Sequence, residues 1–532
     1  MIRLYDTTLR DGEQREGVSL TVEDKLSIAR RLDTLGVSYI EGGFPVSNPK
    51  DAAFFVRAGE LNLKQAQLVA FGLSCKKGTA AAEDAGLNIL AACSAPIITL
   101  LGKAWDIQVE QVLATNRDEN LRMIEDSVRF LVDKRKEVFL DAEHFFDGYR
   151  SDAAYALAVL EAGIRGGATA VVLCETNGGA LPNEVFDITL AVSAALRDNG
   201  HGDVEIGIHT HDDSGCAVAN SLEAVRAGAT QVQGTVNGYG ERVGNANLLT
   251  VLADLELKMG YEVVGGERLK LLTSTSQFVA ETLNITPDPH QPYVGQSAFA
   301  HKGGLHVSAH DRLLHAYEHV DPVAVGNFAH IVVSELAGKV SLRTKASEFG
   351  ITLPEQPEAI DRLLDNLKQR EAKGYSYEVA DASLALLLRA QLGEPITCFK
   401  LESFRVIADK REDGKLMTEA TIKIHVGDER FVATGEGNGP VNALDVALRL
   451  AIRRFYPQID ELHLTDYKVR VIDESTGTSA ITRVLIETSD GFETWGTVGV
   501  SENIIEASWN ALVDAISYGL LRWNRDVSQV NT

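Results

Sequence analysis

One phrase recurs four times in the first 260 or so residues: a helical pattern that ends at glycine, followed within a residue or two by a short apolar run rich in β-formers. It reads Leu35-Gly36-Val37-Ser38-Tyr39-Ile40-Glu41-Gly42, Ala85-Gly86-Leu87-Asn88-Ile89-Leu90, Gly167-Ala168-Thr169-Ala170-Val171-Val172-Leu173 and Ala227-Gly228-Ala229-Thr230-Gln231-Val232-Gln233-Gly234. A glycine in the left-handed conformation closes a helix, and runs this apolar leave neither strand face for water. Both properties belong to a parallel sheet built of βα units. Further runs near 2–6, 67–72, 137–143 and 204–209 bring the strands to eight, alternating with helices such as 21–35, 117–134, 152–165 and 216–227. This count predicts an α/β fold, a (β/α)8 TIM barrel over residues 1–262, with its site where strands end and βα loops begin. A doubly wound open sheet would carry a glycine-rich phosphate turn after an early strand, and strand 1 has none.

The chain continues well past the barrel, so its 532 residues predict further domains. Residues 263–396 lose the βα rhythm and read as helical linker subdomains, broken at Thr286-Pro287-Asp288-Pro289 and Leu353-Pro354-Glu355-Gln356-Pro357. From 397 to 532 the pattern turns to alternating strands, at 400–407, 417–426, 469–471 and 481–488. Glu419–Ile452 aligns with Arg483–Ile516 at an offset of 64 residues, pairing Gly435 with Gly499, Ala443 with Ala507, and Ala447-Leu448 with Ala511-Leu512. Two copies of a strand-hairpin-helix unit therefore form a C-terminal α+β domain. The turn Gly435–Pro440 resembles a phosphate loop, but the second copy replaces it with Gly499-Val500-Ser501-Glu502, which favours a plain strand-to-helix turn.

A net charge of -24 argues against nucleic acid or an anionic membrane as partner, and small anionic substrates would need local cations. The five cysteines are odd in number, scattered and without a Cys-x-x-Cys pair, so neither a disulfide framework nor a thiolate zinc site is expected. With a strand at the start and no run of about 18 apolar residues, no signal peptide or membrane span is expected, and the placement is cytoplasmic.

The chemistry gathers at three strand ends. Strand 7 closes as Ile208-His209-Thr210-His211-Asp212-Asp213, and residues two apart on a strand share a face, so two imidazoles can meet one ion. Strand 1 closes as Asp6-Thr7-Thr8-Leu9-Arg10-Asp11-Gly12-Glu13-Gln14; in a closed barrel it neighbours strand 8, and Asp11 supplies a carboxylate. Asn245, in Gly240-Glu241-Arg242-Val243-Gly244-Asn245, adds a neutral oxygen. Such a set suits Mn²⁺, Zn²⁺, Co²⁺ or hydrated Mg²⁺ and leaves positions open for a bidentate 2-oxo acid. Arg10 would stabilise charge developing on its keto oxygen. Glu143, in Leu140-Asp141-Ala142-Glu143-His144, and Thr176, in Glu175-Thr176-Asn177-Gly178-Gly179, fall on the same rim. The metal-dependent amidohydrolases also set His-x-His in a barrel, but on the first strand, which here carries Arg10-Asp11. His306-Val307-Ser308-Ala309-His310 lacks the glutamate of a zincin helix.

The order DTTLRDGEQ, DAEHFFDGYR, LCETNGG, IHTHDD, NGYGERVGNANL, FAHKGGLH and then a C-terminal repeat resembles the acyl-CoA Claisen-condensing enzymes related to 2-isopropylmalate synthase and homocitrate synthase. YIEGGFPVSNPKD, LLGKAWDIQVEQVL and DAEHFFDGYRSD look most like the branch that joins pyruvate to acetyl-CoA, giving citramalate; 2-oxoisovalerate and 2-oxoglutarate are the alternative acceptors. The resemblance implies that Asp11, His209 and His211 hold the metal with Asn245 beside it, that Arg10 and Thr176 contact the 2-oxo acid, and that Glu143 is an active-site acid or base. It implies a homodimer in which a histidine and a tyrosine cross to the other subunit, at positions matching His306 and Tyr317; His301 has no assigned role. It further implies that the 397–532 domain is regulatory and binds an end-product amino acid, isoleucine for this branch, against the alternative of a purely structural dimerisation module. Asp212 departs from the asparagine common in the family, which touches only a supporting hydrogen bond.

Overall fold

The computed structural model describes residues 2–301, 313, 317–331, 338–396, 398–410, 412, 414, 416–472 and 480–530. Strands β1 (Arg3–Asp6), β2 (Tyr39–Glu41), β3 (Gln67–Leu73), β4 (Ile97–Lys103), β5 (Glu137–Glu143), β6 (Ala170–Glu175), β7 (Glu205–Thr210) and β8 (Gln231–Gly234) close in chain order into one parallel barrel. Closure is the pairing of β1 with β8, in which Asp6 lies beside Gly234. Three of the four phrases end as expected: Gly36, Gly167 and Gly228 take positive φ, of 99°, 106° and 116°, just before β2, β6 and β8.

The fourth phrase is corrected. Ala85–Ala92 is a helix, and β4 follows it. The Asp84 carboxylate accepts a hydrogen bond from the Leu87 amide at 3.1 Å, so this aspartate starts a helix where the glycine signals the end of one. Leu87 and Leu90, three apart, are its buried residues.

The barrel's core runs on past residue 262. Leu272 and Val279, on the helix Leu272–Thr282, join the same apolar cluster, and Arg31 Nε donates to Thr275 Oγ1 at 3.0 Å. The first compact unit accordingly comprises residues 1–299 and 318–329. The second comprises 300–317 and 330–532. In it the short strands β9 (Ala300–His301) and β10 (His330–Ile331) pair in parallel, and the helices Lys339–Glu348, Pro357–Ala372 and Asp381–Gln391 build a core of Leu342, Ile360, Leu364, Leu384 and Leu388. That core takes in Val498 of the C-terminal repeat.

The repeat is structural. Strands β11 (Lys400–Lys410), β12 (Leu416–Val426) and β13 (Glu429–Gly437) form one antiparallel sheet, and β14 (His463–Val471), β15 (Thr482–Ser489) and β16 (Thr494–Ser501) the other, each followed by a helix, Pro440–Ile452 and Ile504–Val530. The matched glycines are where helix meets sheet. A Cβ on Gly435 would come within 2.5 Å of Ala447 N, and one on Gly499 within 1.9 Å of Ala507 O. Among the described residues no helix is long and apolar enough to cross a membrane.

Candidate metal centre

His209 is the last residue but one of β7, with its imidazole buried, and His211 continues the strand as a one-residue bridge to Asn245. This bridge folds the loop after β8 back over β7 and delivers the Asn245 side chain. His209 Nε2 lies 3.2 Å from Asp11 Oδ2 and 3.3 Å from His211 Nε2. Asn245 Nδ2 lies 2.9 Å from Asp11 Oδ2 and 3.2 Å from His209 Nε2. Among the described residues, Asp11, His209 and His211 are the one cluster whose ligand atoms all lie within 4.8 Å of one another.

The electrostatics fit a divalent cation. Burial works against charge on Asp11, yet Arg10 and the imidazoles hold its carboxyl well below the usual range. Burial and the neighbouring His209 push the His211 imidazole down to about 3, which keeps it neutral and able to donate a lone pair. For His209, burial is outweighed by Asp11, and the net direction is upward. Two ring nitrogens face each other at 3.3 Å, which is favourable only with a proton or a cation between them. Separations of 3.2 to 3.3 Å are near the roughly 3 Å expected for ligands about 2.1 Å from one ion and at right angles to each other. The Asn245 amide presents its nitrogen, and its buried oxygen lacks a hydrogen-bond partner; coordination through that oxygen, as expected above, requires the amide turned over.

Arg10 is held on three sides. Its Nε donates to Glu41 Oε2 at 2.6 Å, Nη1 lies 3.0 Å from Asp11 Oδ1, and the guanidinium stacks 4.3 Å from the centre of the Phe71 ring. Glu143 ends β5 beside Lys103 of β4, in register, and the two form an ion pair. Thr176 accepts a hydrogen bond from the His144 amide through Oγ1 at 2.8 Å, and its carbonyl accepts one from Arg242 at 2.9 Å. Asp212 Oδ1 accepts from the Ala217 amide at 2.9 Å, a bond an asparagine would make equally well. His306 lies outside the described residues. Tyr317 is half exposed and belongs to the second compact unit, as does the buried His301.

Sequence reasoning passed over Glu41, Lys103, Asp141 and Gln233. Glu41 also accepts from the Tyr5 hydroxyl at 2.8 Å, while burial and Glu41 together raise Asp141 to about 7. The available signal was polarity inside runs too apolar for a wet face: a glutamate in Tyr39-Ile40-Glu41 and an amide in Gln231-Val232-Gln233 must find partners inside the barrel.

Comparison with known proteins extends over nearly the whole chain. The HMGL-like family profile matches residues 1–279, the homocitrate synthase post-HMGL domain-like profile 293–374, and the LeuA allosteric (dimerisation) domain profile 378–520. The chain is 53% identical to the (R)-citramalate synthase of Streptomyces coelicolor, over 98% of this chain and 96% of that protein. It is 50% identical to that of Aquifex aeolicus, over 98% of each. Identity to that of Synechocystis is also 50%, over 97% of this chain and 96% of the relative.

Proposed function

The chain belongs to the HMGL-like family, in the group of the 2-isopropylmalate synthases, and on that premise we propose that it condenses acetyl-CoA with pyruvate to give citramalate and free CoA. The observation that carries the chemistry is the convergence of Asp11, His209 and His211 at the carboxyl ends of β1 and β7. These side chains would hold a divalent cation, Mn²⁺, Zn²⁺, Co²⁺ or Mg²⁺, with Asn245 beside it; such an ion supplies Lewis acidity toward a keto oxygen.

Arg10 is a fixed cation at the same place, its direction set by Glu41 and Phe71, and would stabilise negative charge on the keto oxygen of pyruvate. Thr176 Oγ1 accepts from a backbone amide, which leaves its hydroxyl hydrogen to bind the 2-oxo acid. A base removes a proton from the acetyl methyl group, with Glu143 and His306 as candidates. The enolate carbon bonds to C2 of pyruvate, the alkoxide takes up a proton, and water cleaves the thioester to release CoA. His306 and Tyr317 would complete the site across a homodimer. The match to an allosteric and dimerisation domain supports feedback control; the route would be one that forms isoleucine, with isoleucine as effector. Five free cysteines suit a cytoplasmic enzyme.

The test is CoA release measured with pyruvate, 2-oxoisovalerate and 2-oxoglutarate, with and without added Mn²⁺. Pyruvate should be preferred and turnover should require metal. A preference for 2-oxoisovalerate overturns the proposed acceptor, and titration of the full chain with isoleucine and leucine, giving heat with neither, removes the effector.

A further inference from the structure

The far edge of His209 is as ordered as the edge that meets Asp11. His209 Nδ1 lies 2.9 Å from Gln233 Oε1, and the two residues are register partners on β7 and β8. Gln233 Nε2 in turn lies 3.2 Å from Asp141 Oδ1 of β5 and 3.4 Å from Gln231 Oε1. Gln231 and Gln233 are fully buried, Asp141 and His209 nearly so, and none of the four can exchange its partner for bulk water.

Of the two groups around Gln233 Nε2, the Gln231 amide oxygen can only accept and the Asp141 carboxyl keeps an accepting oxygen in either protonation state, so the amide nitrogen belongs where it stands. The carbonyl oxygen must then face His209, and an amide oxygen can only accept. The hydrogen between them therefore sits on His209 Nδ1, and the Nε2 lone pair is left to the side where Asp11 and His211 converge. We propose that Gln233, oriented by Asp141, is a positioning residue that fixes the tautomer and ring plane of the metal ligand His209. This rests on the metal reading above. It assigns a part in the site to two side chains outside the ligand cluster of Asp11, His209 and His211, through an interaction by which supporting residues commonly change metal affinity about 10- to 100-fold.

The experiment measures Mn²⁺ binding to the full-length, metal-stripped chain by titration, alongside thermal unfolding without metal. Gln233→Met fills the same space without the amide and should weaken Mn²⁺ binding by about 10- to 100-fold while the metal-free unfolding midpoint moves little. Gln233→Glu keeps an acceptor for Nδ1–H, although its second oxygen then faces Asp141 and Gln231, and should bind Mn²⁺ more tightly than Gln233→Met, a recovery that a merely structural role does not predict. If Gln233→Met fails to fold, Gln233→Asn, which keeps the amide but withdraws the oxygen by one methylene, makes the same comparison against Gln233→Glu. Unchanged affinity in Gln233→Met or Gln233→Asn, beside lost binding in His209→Ala, overturns the positioning role and leaves the metal site standing. An unaltered chain that takes up no Mn²⁺ overturns the metal reading itself.

Discussion

In the barrel unit the buried side chains include Lys25, Glu41, Asp6 and Asp11, whereas the ion pairs of the C-terminal repeats, such as Arg430 with Glu402 and Arg449 with Asp445, stand partly in water. The repeats bury small apolar side chains instead. Ala443, Ala447, Ala507 and Ala511 have no exposed surface where their helices cross Gly435 and Gly499. The barrel thus spends stability on charge held where chemistry needs it, and the repeats hold their shape by close backbone approach. If that contrast is right, the two units should fail for different reasons.

The largest effect concerns activity. His209→Ala should lower turnover by about a thousandfold or more, since an electrophile of this kind contributes several kcal/mol to the transition state. The fold should survive, because the strand's backbone pairing does not involve the imidazole. CoA release and circular dichroism read the two outcomes, and full activity in metal-free His209→Ala protein would remove the metal from the reaction.

The next concerns stability. Lys25 is fully buried, donates to Leu9 O at 2.7 Å and pairs with Glu13 at 2.8 Å and with Asp51. It fastens the turn that carries Arg10 and Asp11 to the helix Pro49–Arg57 that follows β2. Lys25→Met should cost about 3–5 kcal/mol in denaturant unfolding, because Asp51 loses its cation in a dry place and Glu13 keeps only Lys50. Arg430→Ala in the repeats should cost far less, because its ion pair with Glu402 stands in water. Equal losses would erase the contrast. The repeats should answer instead to Gly499→Ala, at about 1–3 kcal/mol, since the added methyl meets helix backbone that cannot yield as a side chain would.

How much of this could be read in the sequence follows the same division. The barrel was legible because glycine-closed helices and apolar runs are local signals. Ala85–Ala92 is the exception, because Gly86 imitates a helix end while Asp84 caps a helix start. His209, His211 and Asp11 could be found because a two-residue spacing and barrel closure are enough to bring them together. Glu41 and Gln233 could not be assigned in advance, since their partners Tyr5, Arg10, Asp141 and His209 lie on other strands and only the closed register brings them within reach. In the C-terminal unit β13 and β16 showed only through the repeat, and the meaning of Gly435 and Gly499 needed the helix lying over them.

The smallest expected effect separates the units by pH. Asp514, on the last helix, accepts from Ser383 Oγ at 2.6 Å, and burial raises its carboxyl to about 6, outweighing the opposing pull of that hydrogen bond and of Arg370. In the unfolded chain this group titrates near 3.8. The native state therefore holds its proton more tightly, and its contribution to stability is fully present below the unfolded value and lost as pH rises through about 6. Between pH 5 and pH 7 the loss from this one group is about 1 kcal/mol. Unfolding followed by the fluorescence of Trp495 and Trp509, which lie in the second unit, should show that decline. Asp514→Asn keeps an acceptor for Ser383 without a titrating proton, so the decline should shrink by about the same amount. A slope unchanged by the substitution would mean that the carboxyl is hydrated in the native state, and that the repeats tolerate buried charge no worse than the barrel does.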